Sequence, residues 1–125
     1  ASIGTIISGP PSSGVFSFTT TGIYLIHYNM SYSHTAKTAY VINEIHTTTN
    51  DATYTRVTQS QGSIYPEGSI EYRGNTVSQC LFDVTDTTNC KVKFKFVAES
   101  GVTILCKGHD DMSTTCVTFI RLGDT

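Results

Sequence analysis

The stretch at residues 22–33 constrains the fold more than any other part of this sequence. Its odd positions become polar from His27 onward, whereas its even positions are all apolar or aromatic: Tyr24, Ile26, Tyr28, Met30 and Tyr32. Successive side chains of a β-strand point to opposite faces of the sheet. The alternation therefore predicts one long strand with a buried even face and a largely solvated odd face.

The rest of the chain has the composition and turn signals of an all-β domain. Only 14% of the residues are charged, Thr and Ser are abundant, and long runs of helix-forming residues are absent. Further strands are predicted at residues 2–7, 15–18, 38–46, 53–59, 69–72, 77–85, 90–98, 102–107 and 115–122. Short strands separated by turn clusters indicate a sandwich or barrel, and we expect one domain over residues 1–125.

Side-chain parity suggests how two of these strands are arranged. The apolar residues of strand 77–85 are at even positions, and so are those of strand 90–98. A tight hairpin turn at residues 86–89 would set even positions opposite odd ones, so the two apolar faces would lie on opposite sides of one sheet. The conflict disappears if the strands belong to two facing sheets. A longer loop or a β-bulge would also reconcile the parity.

Composition and motifs argue against several function classes. The formal net charge of −2 gives no reason to expect nucleic acid as a partner, and no stretch approaches the ~20 apolar residues of a membrane span. The four histidines are scattered, and neither a nucleophile elbow nor a glycine-rich phosphate loop is present, so we expect no enzyme. The four cysteines fall by parity on apolar faces, and we expect four free thiols and no disulfide.

Both ends of the chain carry a family pattern. The motif G-x-F-x-F-x-x-x-G-x-Y at residues 14–24, the runs at 78–84, 88–96 and 101–106, and the finish S-T-T-C-V-T-F-I-R-L at 113–122 resemble a C1q/TNF-like head domain. Cys116, Thr118 and Arg121 depart from the usual Phe, Gly and apolar residue of that family's last strand. The resemblance implies a ten-strand antiparallel jelly-roll sandwich that assembles as a homotrimer. It also implies that strands 90–98 and 115–122 share the sheet that packs about the three-fold axis.

Three lysines at alternate positions, Lys91, Lys93 and Lys95, lie on one strand face. Such a stripe is either a solvated face or, in the trimer that the resemblance implies, part of a subunit boundary. Nine ammonium groups gathered at that boundary would need acidic partners such as Glu44, or bound anions. The residues predicted at the trimer interface are Lys91, Lys93, Lys95, Val117, Phe119 and Tyr40.

Asp110 and Asp111 are the candidate metal ligands. Some relatives of the resembling family carry an Asp-rich sequence in the matching loop and bind calcium there. Two adjacent carboxylates fall short of the about six to eight oxygens that calcium takes, so a plain solvated turn is the competing interpretation. No other cofactor is expected.

Two classes of function follow, a recognition head and a structural module. The first is a trimeric recognition head of a viral or phage structural protein, at a fibre tip or on the virion surface, that binds a host receptor or glycan. The alternatives are a structural module that trimerises or decorates a capsid, and a secreted, extracellular C1q-like binding protein. The resemblance is the main basis for both, and a fold does not fix a function.

Overall fold

The computed structural model describes residues 7, 12–65, 67–68 and 70–125, and the prediction of an all-β chain is confirmed. After a 3₁₀ segment at Ser12–Gly14, the described strands are β1 (Val15–Ser17), β2 (Gly22–His34), β3 (Thr38–Thr48), β4 (Thr55–Ile64), β5 (Tyr72–Val84), β6 (Lys91–Ala98), β7 (Leu105–Cys106) and β8 (Cys116–Gly123). In the described part, no helix is long and apolar enough to span a membrane.

The described residues form eight strands, so the predicted count of ten is not confirmed. Most of the predicted strand 2–7 lies outside the described residues, although Ile7 forms a bridge with Phe18. The predicted strand 69–72 is not separate, because Ile70 and Glu71 lie outside strands and β5 begins at Tyr72. The predicted strand 102–107 shortens to β7, which pairs with β2 over two residues.

The strands form two antiparallel sheets. One sheet has the order β1-β6-β3-β4. In the other, β2 is central, with β5 along one edge and both β8 and β7 along the opposite edge. The prediction that β5 and β6 belong to different sheets is therefore confirmed. The expectation that the strands at 90–98 and 115–122 share a sheet is wrong, because β6 pairs with β1 and β3 whereas β8 pairs with β2.

The core lies between the two sheets and contains the even face of β2, as its alternation predicts. Tyr24, Ile26 and Met30 are fully buried. Opposite them, β3 contributes Val41 and Ile45, which are also fully buried. The partly buried Phe16, Phe94 and Phe119 join this core, and their rings lie within 6.0 Å of one another, centroid to centroid. Burial of these side chains supplies the main stabilising free energy of the sandwich.

Two tight turns position β2, β5 and β6. At the start of β2, Gly22 has a φ of +143°, and a Cβ atom there would lie 2.5 Å from the carbonyl oxygen of Gly123, so the position requires glycine. Between β5 and β6, the Asp86 carboxylate accepts a hydrogen bond of 2.7 Å from the backbone N–H of Thr88. This Asx-type turn carries the chain from one sheet to the other.

Candidate functional site

The lysine stripe lies on the outward face of β6, where it meets groups of its own chain. Lys91 forms an ion pair with Asp51, and Lys93 Nζ lies 4.0 Å from the ring centroid of Tyr54. Lys95 is exposed. A salt bridge and a cation–π contact within one chain favour a solvated sheet face for this stripe.

Glu44 was the predicted acidic partner of these lysines, and the structure gives its carboxylate other partners. Lys95 is opposite Glu44 in the register of β3 and β6. The carboxylate itself accepts hydrogen bonds from His46 Nε2 at 2.6 Å and from Arg56 Nη1 at 2.8 Å. The hydrogen bond from His46 makes the larger contribution and the one from Arg56 the next, and together they hold the pKa of Glu44 below its usual value. The cluster stabilises the outer sheet face within one subunit.

Of the other predicted interface residues, Tyr40 is in the same sheet as the lysines, whereas Val117 and Phe119 are in the other sheet. Val117 and Phe119 pack against the core, and the Phe119 ring lies 5.6 Å from that of Phe16. Tyr40, 38% exposed, is on β3 in the opposite sheet from β8. The structure thus separates the predicted interface residues between the core and the two sheets, because β6 and β8 are not neighbours.

An apolar patch covers the outward face of the other sheet. Leu25 on β2 is flanked in direct register by Leu81 and Ile120, which are 67% and 48% exposed. Ile23 and Leu122 extend the patch and are also exposed. The sequence contained a signal for it, because Ile23 and Leu25 occupy odd positions of β2 before the polar residues begin. The sequence pattern was interpreted through its buried even face, so an exposed patch at these odd positions was not predicted.

A groove opens at the opposite end of the same sheet. It has a volume of about 710 Å³ and lies between the ends of β2 and β5 and the loop at residues 107–115. Its lining residues are Ser31, Tyr32, Arg73, Gly74, Asn75, Lys107, Gly108, His109, Met112 and Thr114. These residues come from three distant parts of the chain, so no local motif in the sequence indicates the groove.

The base of the 107–115 loop is fastened to β2. The backbone N–H of Lys107 donates to the carbonyl of Ser31 at 2.9 Å, and the Ser31 hydroxyl donates to the carbonyl of Thr114 at 3.0 Å. The Thr115 hydroxyl accepts from the Ser31 N–H at 3.1 Å and donates to the carbonyl of Lys107 at 2.6 Å. Hydrogen bonds at both ends of the loop hold Lys107 in a defined position beside the groove.

Two cations at the groove share one carboxylate. Lys107 Nζ and Arg73 Nε lie 2.9 Å and 3.3 Å from the same oxygen, Oε1 of Glu71. The hydrogen bond from Lys107 lowers the pKa of Glu71, so this carboxyl is ionised near neutral pH. The trio therefore has one positive charge in excess. The Arg73 side chain is 76% exposed, which leaves its guanidinium accessible from solvent.

Tyr32 and Gly74 line the groove, and two glycines pack closely against the Tyr32 side chain. The Tyr32 ring is buried beside Gly74, where an added Cβ would lie 2.5 Å from Cε2 of the ring. Gly62 approaches the same side chain, and a Cβ there would lie 2.2 Å from the phenolic oxygen. Burial raises the pKa of Tyr32, so its hydroxyl stays neutral and available as a donor.

The candidate calcium ligands, Asp110 and Asp111, are between His109 and Met112 in the sequence, but unlike those two residues they do not line the groove. Asp110 and Asp111 are exposed, and the backbone N–H of Asp111 donates to His109 Nδ1 at 3.1 Å. Among the described residues, no group of three or more His, Cys, Asp or Glu side chains is arranged to hold a metal ion. Calcium at these aspartates would need carbonyls, waters or another subunit to complete its shell, and the site stays a prediction.

The cysteines occupy more varied environments than parity predicted. Cys90 is buried and Cys80 half-buried, as expected for apolar faces. Cys116 is half-buried beside Asn29, and Cys106 is exposed although it lies opposite the core residue Tyr32 in the strand register. Desolvation raises the pKa of the Cys80 and Cys106 thiols, which disfavours the nucleophilic thiolate.

Comparison with solved structures identifies the architecture. The chain matches the structure of Eiger TNF from S. frugiperda with a TM-score of 0.66 and 15% sequence identity, over 90% of this chain and 67% of the other. The fold is a TNF-like jelly roll. No family model and no curated protein matches the sequence. The fold that the resemblance implied is therefore confirmed, and an identity this low shows the fold alone.

In the TNF-like jelly roll of this chain, the two candidate surfaces belong to the β5-β2-β8 sheet. The apolar patch is at the end of the sheet near Leu25, and the groove is at the end near Ser31. Ser31 follows Leu25 by six positions along β2, and six positions of extended strand correspond to about 20 Å. Assembly through one end is thus geometrically compatible with ligand binding at the other.

Proposed function

We propose that this chain is a non-enzymatic, homotrimeric recognition head of a viral or phage structural protein, placed at a fibre tip or on the virion surface and used for host attachment. The observation that carries the proposal is the apolar patch. In its central row, Leu81 and Ile120 are exposed on either side of the half-buried Leu25, on a sheet face that the described residues leave open. Contiguous exposed apolar surface of this kind marks a protein interface.

The charge pattern around the patch favours a second and third copy of the same chain as its cover. The next row along the strands, Gln79–His27–Thr118, is free of acidic and strongly basic side chains, and Asp83 borders the patch on its other side. A weakly charged face can pack against an identical face without charge repulsion. Obligate homo-oligomer interfaces are likewise apolar at their centre.

The two-sided strand β8 supports the same cover. Its inward residues Val117 and Phe119 pack on the core, while Ile120 and Leu122 are 48% and 57% exposed on the chain surface. Antiparallel sheets with one solvated face normally alternate between apolar and polar residues. A strand with apolar residues on both faces is expected where the sheet is covered on both sides.

Trimeric assembly would serve attachment through avidity. Three identical sites on one head convert weak single contacts into strong attachment, with gains of about 10²-fold or more when all sites engage. The low charge and the abundant Thr of the chain are the reasons for placing the head on a virion. A secreted binding protein is the second candidate, and the TNF-like fold supports it equally.

Sedimentation velocity tests the assembly. The sedimentation data for the wild type are expected to give a particle mass of about three times the chain mass of 13.6 kDa, at nanomolar to micromolar concentration. Leu81→Lys places a charge in the central row and is expected to give monomers. Val57→Lys is the matched control, because Val57 is a 46% exposed apolar residue of β4 in the other sheet. A wild-type monomer, or a trimer unaffected by Leu81→Lys, contradicts the proposed interface.

A cell-binding assay tests the attachment role separately. Saturable binding of the trimer to host cells is the expected result, with loss of apparent affinity in the Leu81→Lys monomer. A stable trimer that shows no saturable binding to cells or to a glycan array would instead assign the chain to a structural module.

A further inference from the structure

We propose that the groove beside the 107–115 loop binds a carboxylated sugar, the acidic terminal residue of a host glycan. The proposal rests on the attachment function and names the ligand class of that head. It requires nothing from the trimer contact, because the groove lies within one chain and about 20 Å from the apolar patch.

Charge balance is the first argument. Arg73 and Lys107 share the single carboxylate of Glu71, so the groove has one uncompensated positive charge. One additional carboxylate would neutralise it, whereas a polyphosphate would bring more negative charge than the groove can pair. Asp110 and Asp111 are exposed on the same loop, and neither forms an ion pair with Arg73 or Lys107, whose acidic partner is Glu71.

The geometry of the donors is the second argument. Arg73 uses its Nε to bind Glu71, and its two terminal nitrogens carry the remaining donors. A planar guanidinium binds a carboxylate through two parallel hydrogen bonds. The ammonium group of Lys107 is already held by its ion pair with Glu71 at 2.9 Å, so less side-chain freedom is lost when it meets the ligand.

The neutral lining is the third argument, and it favours a polyhydroxylated ligand. The hydroxyl of Ser31 donates to Thr114 and retains lone pairs that accept from a sugar hydroxyl. The Nδ1 atom of His109 accepts from the backbone, so its ring proton is on Nε2 and makes the ring a donor at the groove wall. Met112 adds apolar surface that suits the C–H face of a sugar ring.

The size of the groove fits this ligand class. Ligand sites in proteins have volumes of about 300–1,000 Å³, and the groove of about 710 Å³ is large enough for one or two sugar rings. An open groove of this size also leaves room for the rest of a glycan chain to extend into solvent.

NMR titration of the ¹⁵N-labelled chain with N-acetylneuraminic acid tests the proposal. We expect saturable shifts of the amide signals of Ser31, Asn75 and Gly108, with a dissociation constant of about 1 mM, as a small single-site contact implies. Lactose, which is neutral, is expected to give no saturable shift. Glucose 6-sulfate is the second anionic probe. If it bound as tightly as N-acetylneuraminic acid or more tightly, the groove would be assigned to sulfated glycans and the proposal of a carboxylated sugar would be wrong.

Variants locate the binding. Arg73→Gln and Lys107→Gln are each expected to weaken binding at least tenfold, and Arg73→Lys to recover only part of the loss, because ammonium lacks the bidentate geometry. Arg56→Gln, on the other sheet, is the control and leaves binding unchanged. Amide signals of core residues report whether each variant stays folded.

Two results would overturn the proposal: no saturable shift with N-acetylneuraminic acid, or binding that is the same in Arg73→Gln. Neither result bears on assembly, which sedimentation measures independently. A monomer that binds the sugar would contradict the trimer alone, and a trimer that does not bind it would contradict the groove alone.

Discussion

Asn43 is the residue whose substitution tests the two-sheet core most directly. It is on β3, fully buried, and its Nδ2 donates to the carbonyls of Tyr28 on β2 and Thr76 on β5, both at 3.1 Å. One amide side chain thereby connects the two facing sheets. The two carbonyls also fix its orientation, because a flipped amide would place its oxygen against two acceptors.

Asn43→Asp keeps the shape of the side chain and removes both donors. Two buried hydrogen bonds contribute about 1–3 kcal/mol together, and an unpaired buried carboxylate adds a penalty of several kcal/mol. We therefore expect the free energy of unfolding to fall by about 3–5 kcal/mol at pH 7. Asn43→Leu loses the hydrogen bonds without the charge, and a loss of about 1–3 kcal/mol is expected.

The loss in Asn43→Asp is also expected to depend on pH. Burial raises the pKa of the new carboxyl in the folded state above the about 3.9 of the unfolded chain. The folded state then binds more protons than the unfolded state between those two pKa values, so stability falls as pH rises, by up to about 1.4 kcal/mol per pH unit. The deficit relative to wild type is smallest below pH 4, where both states are protonated.

Urea unfolding at several pH values, at one protein concentration, measures these differences. Asn50→Asp is the matched control, because the Asn50 side chain acts through its Oδ1 as an acceptor for Ala52 N–H at 3.1 Å and Thr53 N–H at 2.9 Å. A carboxylate preserves these bonds, so stability should change by no more than about 0.5 kcal/mol. If Asn43→Asp were as stable as this control at pH 7, the inter-sheet hydrogen bonds would not hold in solution.

Four further predictions concern stability, metal and thiols. Glu44→Gln should lower the free energy of unfolding by about 1–3 kcal/mol at pH 7 in urea unfolding. Because the hydrogen bond from His46 lowers the pKa of Glu44, the difference in stability between wild type and variant should shrink as pH falls below about 4. Gly74→Ala should cost about 1–3 kcal/mol in the same assay by displacing Tyr32, whereas Gly108→Ala, with open space for its Cβ, should be neutral. Millimolar calcium should raise the melting temperature of the wild type and not of a variant without the two loop aspartates, and an unchanged wild-type melting curve removes the calcium site. Thiol titration of denatured, unreduced protein should find four thiols per chain, and two or none would contradict the prediction.

Local pattern was sufficient for most of the strands and for one long-range relation. The alternation at residues 22–33 predicts which face of β2 is buried, because side-chain direction in a strand has a fixed period of two and needs no knowledge of neighbours. The same rule, applied to the strands on either side of residues 86–89, predicts two sheets, and the pairing confirms it. The end motifs predicted the jelly roll, which the structural comparison also supports.

Sheet neighbours and surfaces depended on the tertiary structure. Because β8 pairs with β2 and not with β6, the exposed Leu81 and Ile120 flank Leu25 on one sheet face. No local period specifies which strand a given strand pairs with. The environment of Cys106 followed from a strand that shortened to two residues. The groove joins Arg73 to Lys107 through one carboxylate, although 34 positions separate them in the sequence. The sequence determined the periodic faces because they are local, and only the packing of distant segments decided which residues meet.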